Sequence, residues 1–134
     1  MVKLYVEEPG RPAVVRQVQL AAAVATARVT YVEARAAFAR KRREGGLDGR
    51  SLAQVVERLD GEWPAYTLID VNELLIRRAG ALAERHALRG YDAIQMAAAL
   101  ALMGDGRQVT FACFDRRLRR AARREKLVAP ALQR

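Results

Sequence analysis

Residues 88–100 read LRGYDAIQMAAAL, and the apolar run continues almost unbroken to Gly104. From Ala93 to Ala101 eight of nine residues are apolar, the exception being Gln95. A helix of that composition has no polar face to give to water, so it must be covered on several sides. The rest of the chain therefore has to fold around it. Asp92 stands at its head, where a carboxylate entering a core is costly unless a partner neutralises it or hydrogen-bonds to it.

The flanking segments supply the layers. AVATARVT (23–30) and AYTLIDV (65–71) have the β-branched content of strands, and QVTFACF (108–114) reads as a short apolar strand of the kind found in a covered parallel sheet. Residues 12–22, YVEARAAFARKRREGG (31–46), DGRSLAQVVERLDGEW, NELLIRRAGALAERHAL (72–88) and DRRLRRAARREK read as helices, with Ser51 and Asn72 placed to cap two of them. Strands separated by helical stretches predict an α/β layered fold with a mostly parallel sheet. At 134 residues the chain is the size of one domain.

Several chemistries lack their residues. Ser51 is the only serine and sits in GRSLA, not in a G-x-S-x-G turn, and His86 is the only histidine. No H-E-x-x-H, C-x-x-C, P-loop or G-x-G-x-x-G pattern occurs. His86 fits a helix end, where the dipole favours it. Cys113 fits a small core residue, Trp63 fits packing, and a lone cysteine suits a reduced cytoplasm. No apolar run reaches the roughly 18 residues of a membrane span. The net charge is +9, from 24 Lys+Arg against 15 Asp+Glu, which points to a polyanionic partner such as nucleic acid.

Three acids share one setting. Glu33 lies in the first turn of a helix after ATARVT, Asp92 opens the apolar helix, and Asp115 follows VTFACF. Taken singly, each also suits a helix cap or the positive end of a helix dipole, worth about 0.3–1 kcal/mol. Taken together, carboxylates at the carboxyl edge of a sheet need a counter-charge, and a hard divalent cation with oxygen ligands supplies it. Such ions activate water for phosphoryl displacement. Acids that hold a cation on a basic protein point to a nuclease, with Arg116 and Arg117 beside Asp115 as candidate phosphate contacts. The RKRR run at 40–43 reads as solvated surface.

The segments VKLYVEEPG, TYVEARAAFARKRREG, LRGYDAIQMAAAL and FACFDRRL together resemble PIN-domain proteins, and in particular the VapC-type toxins of bacterial toxin–antitoxin pairs. The resemblance implies a three-layer α/β/α sandwich around a parallel sheet, and a Mg²⁺- or Mn²⁺-dependent endoribonuclease. It also implies homodimerisation, and inhibition by a small antitoxin. Carried over by position, Glu33, Asp92 and Asp115 would be the metal ligands and the catalytic acids. Proteins of this kind also place a short apolar strand and an Asp ahead of a segment like VKLYVEEPG, and here Met1 lies inside that segment. The expectation is a single PIN-like domain over 1–134, N-terminally incomplete, with weak cleavage unless that strand and its Asp are restored. The rival expectation is a catalytically impaired PIN remnant that binds RNA or an antitoxin without cutting.

Overall fold

A computed structural model describes residues 1–132 of the chain. After a short 3₁₀ turn at Val2–Leu4 the elements run α1 (Arg11–Leu20), β1 (Ala25–Ala27), α2 (Thr30–Arg43), α3 (Gly49–Glu62), β2 (Thr67–Ile69), α4 (Glu73–His86), α5 (Gly90–Gly104) and α6 (Arg116–Arg124), with a second 3₁₀ turn at Trp63–Ala65. β1 and β2 pair in parallel, with Thr26 opposite Leu68. The mixture of helices around a small parallel sheet is the α/β class anticipated from the sequence, and is compatible with a PIN-like α/β/α sandwich.

The apolar helix is α5, and it is covered as its composition requires. Ala93, Met96, Ala97, Ala98 and Ala99 are buried against Leu75, Ala79 and Leu82 of α4, and against Leu118, Ala121 and Ala122 of α6. Small side chains on α5 let its neighbours approach closely, while Met96 fills the remaining space. A second apolar cluster joins Leu4, Tyr5 and Val6 to Ala34 and Phe38 of α2 and to Leu59 of α3.

The caps follow side-chain chemistry, with one shift of position. Asn72 Oδ1 accepts from the Leu75 amide at 3.0 Å, as its place in the sequence suggests. At α3 the cap is Asp48, whose Oδ1 accepts from the Ser51 amide at 2.7 Å, so Ser51 lies inside the helix that it was expected to start. Both residue types cap well, and the carboxylate three positions upstream takes the role.

The segment 108–114 forms no strand. It contributes one parallel bridge, Thr110 to Val128, and the Phe111 amide donates to the Val128 carbonyl at 2.7 Å. A strand exists only through its ladder, and among the described residues this segment pairs at that one bridge alone. Phe111 and Cys113 still pack against the main core.

α4 ends on Ala87, whose φ of 50° is in the left-handed region. A β-carbon costs about 1 kcal/mol there, and glycine avoids it. Ala87→Gly is therefore expected to stabilise the protein by about 0.5–1 kcal/mol, raising Tm by roughly 2–5 °C in a calorimetric scan. A fall in Tm would mean that the α4–α5 turn does not adopt this geometry.

Candidate functional site

α5 and α6 carry two of the three acids within electrostatic range of each other. Asp92 lies in the first turn of α5, behind an N-cap, Arg89, that makes no side-chain capping bond. Asp115 is the N-cap of α6, and its Oδ1 accepts from the Leu118 amide at 2.8 Å. Asp115 thus caps its helix, and capping occupies one of its two oxygens.

Asp92 is not rescued from its apolar surroundings. Among the described residues it has neither a salt bridge nor a hydrogen bond. Its carboxyl is pushed above the usual carboxylate range, first by burial and then by the charge of Asp115, with Arg89 opposing weakly. Among the described residues no hydrogen bond or ion pair meets the demand read from the sequence, and the charge of Asp115 adds to the cost.

Cys113 borders the same pair. Its thiol is pushed up to about 11, mainly by burial and further by Asp115 and Asp92, against the opposing pull of Arg119. It is a neutral thiol near neutral pH and adds no charge to the site. A concavity of about 440 Å³ opens beside Asp115, lined by Phe114, Arg116, Arg119, Ala131 and Leu132.

Glu33 is exposed in the first turn of α2. The Tyr91 hydroxyl is raised above its ordinary value by burial first, with Glu33 and Asp92 both adding to the shift. Tyr91 thus stands within electrostatic range of both acids. The three acids do not gather into one tight cluster, and no group of three or more His, Cys, Asp or Glu side chains among the described residues is placed to hold a metal ion.

Between these acids runs a polar network with no precedent among the expected site residues. Tyr91 Oη lies 3.1 Å from Thr30 Oγ1. Gln95 Nε2 donates to Thr30 Oγ1 at 2.6 Å, while Gln95 Oε1 accepts from Thr26 Oγ1 at 3.3 Å and from the Ala27 amide at 3.4 Å. Thr26 and Thr30 are both buried. This ties α5 to the end of β1 and the start of α2, the elements that carry Asp92 and Glu33. The one sequence signal was Gln95 itself, the single polar residue within an apolar run.

Of the two candidate arginines, Arg116 lines the concavity with Asp115. Arg117 lies on the other flank of α6, beside His86. His86 ends α4 as expected, and its Nε2 is 2.7 Å from Glu125 Oε1. Trp63 packs edge-on against Tyr31 and Tyr66, with ring centroids 5.3 and 6.0 Å away, in keeping with a packing role.

No family model matches the sequence. Two curated proteins of Mycobacterium tuberculosis are similar to it: Ribonuclease VapC45 of strain CDC 1551 / Oshkosh and Ribonuclease VapC49 of strain ATCC 25618 / H37Rv. Each is 36% identical over 100 residues, which span 75% of this chain and 68% of the relative.

Proposed function

The chain belongs to the VapC ribonuclease family, and on that premise we propose that it is a metal-dependent endoribonuclease, the toxin of a type II toxin–antitoxin pair. The observation that carries this reading is the Asp92–Asp115 pair. It consists of two carboxylates close enough for the charge of Asp115 to add to the burial that raises Asp92 against the opposing charge of Arg89, with Asp115 lining a concavity beside Arg116 and Arg119.

The donor set fits a hard divalent cation. Both acids offer oxygens, Asp115 keeps one oxygen outside its cap, and a cation would offset the burial and the repulsion that raise Asp92. In the proposal Asp92 and Asp115 hold Mg²⁺ or Mn²⁺, and Glu33 is the third carboxylate. When bound, the ion supplies a water of lowered pKa and neutralises charge on the phosphoryl oxygens. Arg116 and Arg119 draw the phosphodiester toward the acids as charge-assisted donors, and Arg117 contacts the chain beyond them. Such contacts hold the backbone without reading bases, so binding weakens with salt.

The proposal extends to the partners and setting of the family: RNA as substrate, a cognate antitoxin covering the acidic site, a homodimer, and work in the cytoplasm. No described helix is long and apolar enough to cross a membrane. A second reading, a non-catalytic RNA- or antitoxin-binding module, is favoured by the lack of any three-acid metal cluster among the described residues.

One experiment separates the two. Single-stranded RNA is incubated with the purified chain in Mg²⁺, Mn²⁺ or EDTA, and Tm is measured in the same buffers. A nuclease cuts only with the divalent ion, and ion at about a hundred times its Kd stabilises the fold by about 2.7 kcal/mol. Retention of RNA with no cleavage and no change in Tm would support the binding module instead.

A further inference from the structure

The basic helix α6 has two arginine faces, and only one of them borders the acids. Arg116 and Arg119 line the concavity beside Asp115. Arg117, Arg120 and Arg124 recur at the i, i+3, i+7 spacing that places side chains on one helical stripe. With His86 and Ala121 they line a separate depression of about 180 Å³.

The charges of that stripe are uncompensated. Arg117, Arg120 and Arg124 make no salt bridge or hydrogen bond among the described residues, although Arg11, Arg28, Arg40, Arg58, Arg77 and Arg85 each pair with an acid. The nearby acid, Glu125, is already committed. Its Oε1 accepts from Arg85 at 2.9 Å and lies 2.7 Å from the nearly buried His86 ring. Glu125 is held below the usual carboxylate range first by that His86 contact. The depression therefore presents three exposed guanidinium groups that are unpaired among the described residues, and no acid lines it.

We propose that this second face of α6 is an exosite for the phosphodiester backbone of single-stranded RNA, gripping the chain beyond the point of cleavage. The inference rests on the proposed ribonuclease function and deepens it: one helix would present the scissile phosphate to the acids on one flank and hold the continuing strand on the other. Three exposed arginines of like charge on one stripe repel one another, and a phosphate chain removes that penalty while releasing its own counterions. Recognition would be by charge and would carry no base preference.

The test uses the full chain with Arg120→Gln and Arg124→Gln together, beside Arg120→Lys and Arg124→Lys. Affinity for a long fluorescent oligouridylate is measured in EDTA across a salt series, and cleavage of a uridine trinucleotide is measured with Mn²⁺. The glutamine pair is expected to bind the long RNA more weakly, with the slope of log K against log salt reduced by about 1.4, that is ~0.7 for each lost phosphate contact. The lysine pair is expected to keep the parental slope, and trinucleotide cleavage is expected to stay unchanged in both. A parental slope in the glutamine pair overturns the exosite and leaves the face to an acidic protein or to plain solvation. Equal losses in the glutamine and lysine pairs also overturn it, since they trace the effect to packing. A reduced slope in a protein that cuts no RNA under any divalent ion would uphold the exosite and defeat the nuclease reading, so the two fail separately.

Discussion

Asp92→Asn is expected to raise the melting temperature of the metal-free protein by roughly 2–4 °C while lowering RNA cleavage by about 10²-fold or more. The two effects have one cause. In the folded chain Asp92 holds its proton more tightly than an unfolded chain would, because burial and Asp115 both disfavour its charge. Between the ordinary carboxylate range and its raised value the native state carries more bound protons than the unfolded one. Stability contributed by this group is thus present at low pH and lost as pH rises through that window. At neutral pH the charge is a net burden. Asparagine keeps the shape and removes both the desolvation and the repulsion. It forfeits the attraction between Asp92 and the positive end of α5, about 0.3–1 kcal/mol, and the raised carboxyl shows that this term is outweighed.

A divalent ion reverses the order. It pairs with the Asp92 charge in the parent and has less to bind in the variant, so added Mn²⁺ is expected to raise the parent's Tm and to leave Asp92→Asn nearly unmoved. Thermal melts of both proteins with and without Mn²⁺, run beside a cleavage assay, read all three effects. If Asp92→Asn melts lower than the parent without metal, Asp92 is a contented first-turn acid, and the pair has no unmet demand for a cation.

The burial of α5 and the place of Asp92 in its first turn are legible because they depend on local chemistry. Eight apolar residues in nine leave a helix no exposed face, and an acid that opens a helix lies near the end of whatever precedes it. What escaped depends on partners and directions. The segment 108–114 has strand composition, yet its ladder extends to a single bridge at Val128, and no residue within the segment announces that. Asp48 and Ser51 are both good caps, and their competition is settled by which amides lie in reach. Tyr91 and Asp92 are adjacent in sequence, so their side chains leave α5 about 100° apart. Tyr91 is thereby turned to Thr30 while Asp92 makes no hydrogen bond among the described residues, a relation that spacing along the chain does not reveal. Gln95 was visible as an anomaly, but its partners Thr26, Ala27 and Thr30 lie more than sixty positions away.

Phe38→Ala is expected to cost about 3–5 kcal/mol, the largest loss of stability from any single truncation in the α2–α3 cluster. Phe38 is fully buried, and its ring meets Tyr5 edge-on with centroids 5.9 Å apart. Around it lie Leu4, Val6, Ala34 and Leu59, so it joins the first residues of the chain to α2 and α3. Alanine there loses the transfer energy of the ring and leaves a cavity that Ala34, already small, is unable to fill. Against a total stability of about 5–15 kcal/mol the loss is a large share. Phe38→Leu keeps most of the volume and is expected to cost less than about 1.5 kcal/mol. Urea unfolding measures both through the shift in midpoint at constant slope. Because the polar network of Thr26, Thr30 and Gln95 fastens α2 to α5 independently of Phe38, the Asp92–Asp115 pair should persist in whatever fraction of Phe38→Ala stays folded, and Mn²⁺ should still raise its Tm. A cost for Phe38→Ala near that of Phe38→Leu would show that the ring is not enclosed as described. Loss of the Mn²⁺ response in the folded fraction would show that the two clusters are not independent.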